Sequence, residues 1–201
     1  MFDMVALPVF GSGLGLILFD TAYFVWIASE LFGAVLVPKL RQRGATKVRR
    51  DRGSGPLIIF TVLVSIILAF TFGYAGIGPL PDWAFYLGIL LMFLGVVVRQ
   101  WAIVVLGRFF SLIVQVAADH KVIDKGPYRL IRHPSYTGIL ITFIGLGLAV
   151  QSWAALLVLL GVYTLSFGYR MRIEEKTLLS QLGNDYASYM KRTKRLVPYL
   201  V

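Results

Sequence analysis

Apolar residues gather into five stretches, at about residues 13–37, 57–72, 83–106, 136–150 and 153–169. Between them the chain is polar, basic, or rich in Gly and Pro. Within each stretch, apolar positions fall on every face. A membrane β-strand would alternate, so the pattern predicts helices. Several stretches reach or approach the ~20 residues that a bilayer core demands. Pro38 stops the first, and a Gly- and Pro-rich turn, residues 73–81, ends the second. Only Gln151-Ser152 separates the last two, which predicts a tight helical hairpin. The final 30 residues are amphipathic, with Leu178, Leu179, Leu182, Tyr186 and Tyr189 at helical spacing.

Charge orients these helices. The chain has 20 Lys and Arg against 10 Asp and Glu, a net charge of +10. Lys39, Arg41, Arg43, Lys47, Arg49, Arg50 and Arg52 lie between the first and second stretches. Arg108, Lys121, Lys125, Arg129 and Arg132 lie between the third and fourth. Arg170, Arg172, Lys176, Lys191, Arg192, Lys194 and Arg195 follow the fifth. Only Arg99 is inside a stretch. Since Lys and Arg concentrate in cytoplasmic loops, five spans with the N-terminus outside sort every loop cation to one side. The predicted fold is an all-α integral membrane protein with five transmembrane helices, the last two a tight hairpin, plus a cytosolic C-terminal helix. Residues 1–106 form a three-span region, and 107–201 hold the hairpin and the amphipathic end.

Composition narrows the chemistry. The chain is 58% apolar, with a mean hydropathy of +0.77, beyond what a soluble domain shows. The positive charge therefore reads as topology and as attraction to anionic lipid, with no nucleic-acid partner expected. Cysteine is absent, which excludes disulfides, thiolate nucleophiles and Cys-ligated zinc. His120 and His133 have no carboxylate cluster at ligand spacing, so no metal site is expected. The apolar N-terminus has neither a basic leader nor a small-residue cleavage site, and is read as part of the protein.

The most informative segment is Gly126-Pro127-Tyr128-Arg129-Leu130-Ile131-Arg132-His133-Pro134-Ser135-Tyr136-Thr137-Gly138. Polar and ring-rich, it sits between apolar runs. Gly126 and Pro127 turn the backbone sharply, and Pro134 or Ser135 should start the fourth helix. Its free N–H groups then face the polar stretch and favour an anion. Such a segment is either a preformed site for a charged ligand beside lipid or a basic interfacial collar. Where the fifth stretch ends, Arg170 and Glu174 are four apart and share a helix face, with Glu175 on the neighbouring one. They make either a surface pair or a site in which Arg170 meets an anion and Glu174 an ammonium. Glu30 and Arg99 each lie eight residues from the inner end of their stretch, about 12 Å deep at 1.5 Å per residue. Equal depth permits an ion pair; otherwise one or both line a substrate cavity.

Residues 107–198 resemble the isoprenylcysteine carboxyl methyltransferase family. The resemblance rests on His120-Lys121-Val122-Ile123, then Gly-Pro-Tyr, then Arg132-His133-Pro134-Ser135-Tyr136 with Gly138. It continues through Arg170 with Glu174-Glu175, Gly183-Asn184-Asp185-Tyr186 with Tyr189, and Arg195-Leu196-Val197-Pro198. Phospholipid N-methyltransferases share the His-Pro and Glu-Glu elements more loosely. The resemblance implies a membrane enzyme using S-adenosyl-L-methionine, with 107–201 as a methyltransferase core that binds the cofactor from the cytosol. Carried over by motif, Gln115, His120, Val122, Ile123, Tyr128, His133, Pro134, Ser135, Tyr136 and Glu174 would bind the cofactor. Arg170 and Glu174 would be the catalytic pair. Arg170 would face a lipophilic acceptor, prenylated or lipid, entering from the bilayer; Glu30 and Arg99, as charges inside spans and not by motif, join it as candidate substrate-binding residues. The five-span form, without the extra N-terminal spans of eukaryotic members, implies a prokaryotic cytoplasmic membrane. Methyl transfer to a carboxylate needs positioning more than a general base, so the lack of a nucleophile–His or metal constellation is no obstacle. Other readings are a phospholipid or small-lipid N- or O-methyltransferase, a reductase of related architecture, and a non-catalytic protein that binds anionic lipid.

Overall fold

The computed structural model describes residues 8–11, 13–33, 53–111 and 121–198, together with the backbone of 47–49 and 115–117. Among these are seven α-helices: α1 Gly13–Leu31, α2 Ser54–Tyr74, α3 Asp82–Leu106, α4 Pro134–Ala149, α5 Trp153–Val162, α6 Gly168–Leu182 and α7 Asn184–Arg192. A π-type turn, Tyr163–Phe167, joins α5 to α6 without a break. Four continuous helical stretches are long and apolar enough to cross a membrane: Gly13–Leu31, Ser54–Tyr74, Asp82–Phe109 and Trp153–Leu182. Helix α4 is apolar but has only 16 residues. Large apolar side chains such as Phe24, Ile59, Phe60, Val97 and Leu165 are exposed on the outside, as expected of an integral membrane protein bathed in lipid.

Helix α4 is central and begins where Pro134 suggests. Pro at the first helical position loses no intrahelical bond, and His133 before it is non-helical, at φ −124 and ψ 55. Helix α3 lies close along α4 because both present small residues to each other. A Cβ added to Gly138 would stand 2.7 Å from Arg99 N, and one added to Gly95 would stand 2.6 Å from Gly138 O. Close backbone approach through small residues is how helices gain contact where lipid gives no hydrophobic drive. It also sets Arg99 beside the first turn of α4.

At one end of the bundle, the two-residue hairpin between α4 and α5 ties three segments together. Gln151, at φ 53, accepts from Val9 N at 2.8 Å and donates to Asp82 Oδ1 at 3.1 Å. Ser152 caps α5 through Ala155 N at 3.2 Å and donates to Ile77 O at 2.6 Å. At the other end, the C-terminal strand of chain runs parallel to the segment before α4. Arg132 N donates to Lys194 O at 2.7 Å and His133 N to Arg195 O at 3.0 Å.

Two features differ from the all-helical expectation. The first is a short antiparallel ribbon that pairs Lys47–Arg49 with Gln115–Ala117. Backbone polar groups outside the helices still need partners, and these two loops on one face satisfy each other. The second departs from the expected separate C-terminal helix: the amphipathic end begins as a continuation of the last apolar stretch and breaks only at Gly183, before α7. Residues 153–182 form one rod of 30 residues, about 45 Å long at 1.5 Å per residue. A bilayer core is about 30 Å thick, so the polar end of α6 projects past it.

Candidate active site

One cavity of about 790 Å³ runs from polar to apolar surroundings. Its polar end is bounded by Tyr128, Arg132, His133, Glu174 and Tyr186. Its apolar end lies between α1 and α2, along Ile58, Ile59, Val62, Leu63 and Ile66 of α2 and Trp26, Ile27 and Leu31 of α1. Those α2 residues recur at three- and four-residue spacing, so a single stripe faces the cavity. Ile59, Leu63 and Leu31 are also exposed on the outside, so this end opens sideways towards lipid. Farther along, Phe70 of α2 packs against Phe19 and Tyr23 of α1, both at 5.6 Å between ring centres, and closes the gap.

Where the two ends meet, Tyr136 bridges the charged residues of α6. Its hydroxyl donates to Glu174 Oε2 at 2.7 Å and accepts from Arg170 Nε at 2.8 Å. Arg170 is buried and also donates through Nη1 to Ser54 Oγ at 3.3 Å, at the start of α2. The i,i+4 spacing does put Arg170 and Glu174 on one face, but a tyrosine from α4 stands between them. The π-type turn just before α6 sets the phase of that face. Tyr163 within it donates to Tyr136 O at 3.0 Å, and Phe167 meets the Tyr136 ring at 5.6 Å.

Glu30 and Arg99 pair at the same junction. Arg99 Nη2 donates to Glu30 Oε2 at 2.6 Å, and Nε lies 2.5 Å from Oε1 in a contact too bent for a hydrogen bond. Arg99 Nη1 donates to Ser135 Oγ at 2.8 Å. Both charged residues line the cavity, so pairing and cavity lining coexist. Gln100 Nε2 adds a bond to Ser29 O at 3.0 Å.

Glu175 has another role. Its carboxylate accepts from Arg132 Nε at 3.0 Å and from Arg195 Nη2 at 2.6 Å, and lies 3.2 Å from His133 Nε2. Arg132 also donates to the carbonyls of Met190 and Thr193. Motif spacing singled out His133 but did not show that it is held from behind by Glu175. It also missed Arg132, Arg195 and Ser54 as partners. The alternation of Glu174 and Glu175 on a helix was the available signal, since adjacent helical residues point about 100° apart.

Of the other residues carried over by motif, Val122, Ile123, Tyr128, Ser135 and Tyr136 line the cavity. Pro134 is buried as the first residue of α4. Leu106, Phe109 and Phe110 are further apolar residues that line the cavity. Gln115 contributes backbone to the ribbon; its side chain and His120 lie outside the described residues. Burial, and secondarily the Glu174 carboxylate, pushes the Tyr128 hydroxyl well above the ordinary tyrosine range, so it stays neutral. Tyr189 donates to Tyr128 O at 2.7 Å and fixes the Gly-Pro-Tyr turn from α7. Among the described residues, no group of three or more His, Cys, Asp and Glu could hold a metal ion.

Comparison with known proteins converges on one family. Residues 87–180 match the isoprenylcysteine carboxyl methyltransferase family. The match begins within α3, earlier than residue 107, and so takes in Arg99. Protein-S-isoprenylcysteine O-methyltransferase B of Arabidopsis thaliana is 29% identical over 59% of this chain and 61% of its own length. The enzyme of the same name from Saccharomyces cerevisiae is 33% identical over 57% of this chain and 48% of its own. The chain thus spans about three fifths or less of these relatives. A solved structure of a eukaryotic intramembrane Ras methyltransferase has the same fold, with a TM-score of 0.61 at 22% identity, covering 98% of this chain and 70% of that one.

Proposed function

We propose that this protein, whose residues 87–180 match the isoprenylcysteine carboxyl methyltransferase family, is a membrane methyltransferase of that family acting on the carboxylate of a lipophilic acceptor. The observation that carries this reading is the single cavity joining the Arg170–Tyr136–Glu174 group to a lipid-facing apolar stripe. An acceptor with a charged head and an apolar tail matches both ends. The relatives are named for S-isoprenylcysteine, so the acceptor class is a prenylcysteine or a prenylated lipid carrying a carboxylate.

The polar end suits S-adenosyl-L-methionine. Glu174 is half-buried, lines the cavity, and the hydrogen bond it accepts there is from a neutral tyrosine. That leaves capacity for an ammonium. Among the cavity-lining residues, Val122, Ile123 and Phe109 suit an adenine ring. When bound, the cofactor supplies a methyl group already activated as a sulfonium.

The chain's own residues do the rest. Arg170 holds the acceptor carboxylate with its planar fork, at the point where α6 leaves the membrane. Tyr136 fixes both Arg170 and Glu174, so the two ligand heads approach in one orientation. The carboxylate attacks as it is, so no side chain must remove a proton, and proximity supplies much of the rate. Glu30 neutralises Arg99, which in turn steadies Ser135 at the start of α4. The five-span arrangement, with 107–201 as the catalytic core, the N-terminus outside and the basic loops in the cytosol, completes the reading.

Detergent-purified protein is expected to bind radiolabelled S-adenosyl-L-methionine and to transfer label to N-acetyl-S-farnesylcysteine as a base-labile ester. Arg170→Lys is expected to slow that transfer by about tenfold, as befits a charged hydrogen bond of about 1.5–3 kcal/mol, while cofactor binding stays near normal. Label that survives base, on a lipid amine, would replace O- by N-methylation. No cofactor binding by a monodisperse sample would leave the anionic-lipid reading instead.

A further inference from the structure

The cavity has an end, and that end is built of rings. Along α2 its lining runs from Gly55 to Ile66 and stops, although α2 continues to Tyr74. Along α1 it stops at Trp26, along α4 at Phe143, and before α6 at Phe167. These rings touch: Trp26 meets Phe143 edge-on at 6.1 Å, and Phe143 meets Phe167 at 6.3 Å and 87°. Trp26 and Phe143 are almost wholly buried, and behind them Ala22, Ala69 and Leu146 are packed without exposure above 1%. The helices go on, but the space does not.

We propose that Trp26, Phe143 and Ile66 form a floor that limits the length of acceptor tail this protein accepts in full. The proposal rests on the acceptor being an amphiphile whose head is held at Arg170. From Gly55, at the level of the polar residues, to Ile66 is eleven residues, about 16 Å at 1.5 Å per residue. That depth is comparable to an extended farnesyl chain. A shorter tail leaves apolar wall uncovered. A longer tail meets the rings and must turn out sideways past Ile59 and Leu63, where its end exchanges lipid for lipid and gains nothing. Because Phe70, Phe19 and Tyr23 close the gap beyond the floor, the tail cannot pass lengthwise.

The test is a chain-length series of N-acetyl-S-prenylcysteines: geranyl, farnesyl and geranylgeranyl. The wild type should improve from geranyl to farnesyl and gain little or lose at geranylgeranyl. Trp26→Ala should raise the geranylgeranyl-to-farnesyl ratio of kcat/KM by about tenfold, the smallest discrimination usual for one methylene in an apolar pocket. Trp26→Phe keeps a ring and should leave the ratio near wild type, and Ile66→Ala serves if Trp26→Ala does not fold. A ratio unmoved in a folded floor variant with normal farnesyl turnover overturns the floor. A second readout needs no methyl transfer: a farnesyl analogue with a photoreactive tip should label Trp26, Ile66 or Phe143. Labelling of the floor without turnover of any acceptor upholds the floor and overturns the methyl-transfer reading. Labelling confined to Ile59 and Leu63 overturns the floor whatever the activity.

Discussion

Glu174 and Glu175 are neighbours in the chain and sit in opposite surroundings. Glu175 is buried against two arginines and a histidine drawn from the segment before α4 and from the C-terminal tail. Glu174 faces the cavity, and the hydrogen bond it accepts is from the Tyr136 hydroxyl. A carboxylate surrounded by cations has its needs met by the protein and serves to hold segments together. A carboxylate left with spare acceptor capacity beside a cavity is available to a ligand. The two faces of α6 therefore differ: one anchors the frame and the other faces the cavity.

The largest effect should come from breaking the anchored face. Glu175→Ala leaves Arg132 largely buried without its counter-charge and takes away the carboxylate that His133 Nε2 faces, and breaking a buried pair typically costs about 3–5 kcal/mol. Thermal unfolding in detergent should show a clear loss of stability, with cofactor binding lost as a consequence. If stability is unchanged, the anchoring role is wrong. On the other face, Glu174→Gln keeps the shape and removes a charge, so about 1.5–3 kcal/mol of ligand binding should go. Cofactor affinity, read by equilibrium dialysis, should fall about tenfold or more with no change in unfolding temperature. A parallel loss of stability would erase the distinction between the two glutamates.

Tyr136→Phe sharpens the comparison with a smaller change. It deletes the hydroxyl between Arg170 and Glu174 but keeps the ring stacked on His133 at 5.4 Å. An ordinary hydrogen bond contributes about 1 kcal/mol, so turnover should drop several-fold while the fold persists; rates at saturating cofactor would reveal it. The smallest effect belongs to Arg192 and Asp124, which pair at 2.7 Å on the surface with side chains 59% and 37% exposed. Exposed pairs contribute about 0.2–1 kcal/mol, weakened further by salt. Asp124→Asn should leave stability and activity within error, and a large loss would mean the pair does more than its exposure suggests.

Much of this was legible in the chain. Apolar stretches located the helices because a bilayer admits few other structures. Pro134 marked the start of α4, and Gln151-Ser152 marked the hairpin. Equal depth allowed a Glu30–Arg99 pair but left cavity lining open as the alternative, and the structure shows both. The ribbon between residues 47–49 and 115–117 was not legible, because three-residue strands carry no periodic signal. The bridging role of Tyr136 was hidden for a different reason. Helical spacing reports which residues share a face, but not what a second helix inserts between them.

The sequence by itself determined that this is a helical membrane protein whose motifs resemble a methyltransferase family, with a charged, ring-rich segment between apolar stretches. Local rules suffice for that, since hydropathy, proline and short motifs act within a few residues of one another. Only the tertiary structure showed what encloses Glu175 while Glu174 faces the cavity, and where the apolar cavity ends. Both depend on residues 38 to 117 positions apart in the chain, brought together by close packing of α3 on α4 and by the return of the C-terminal tail.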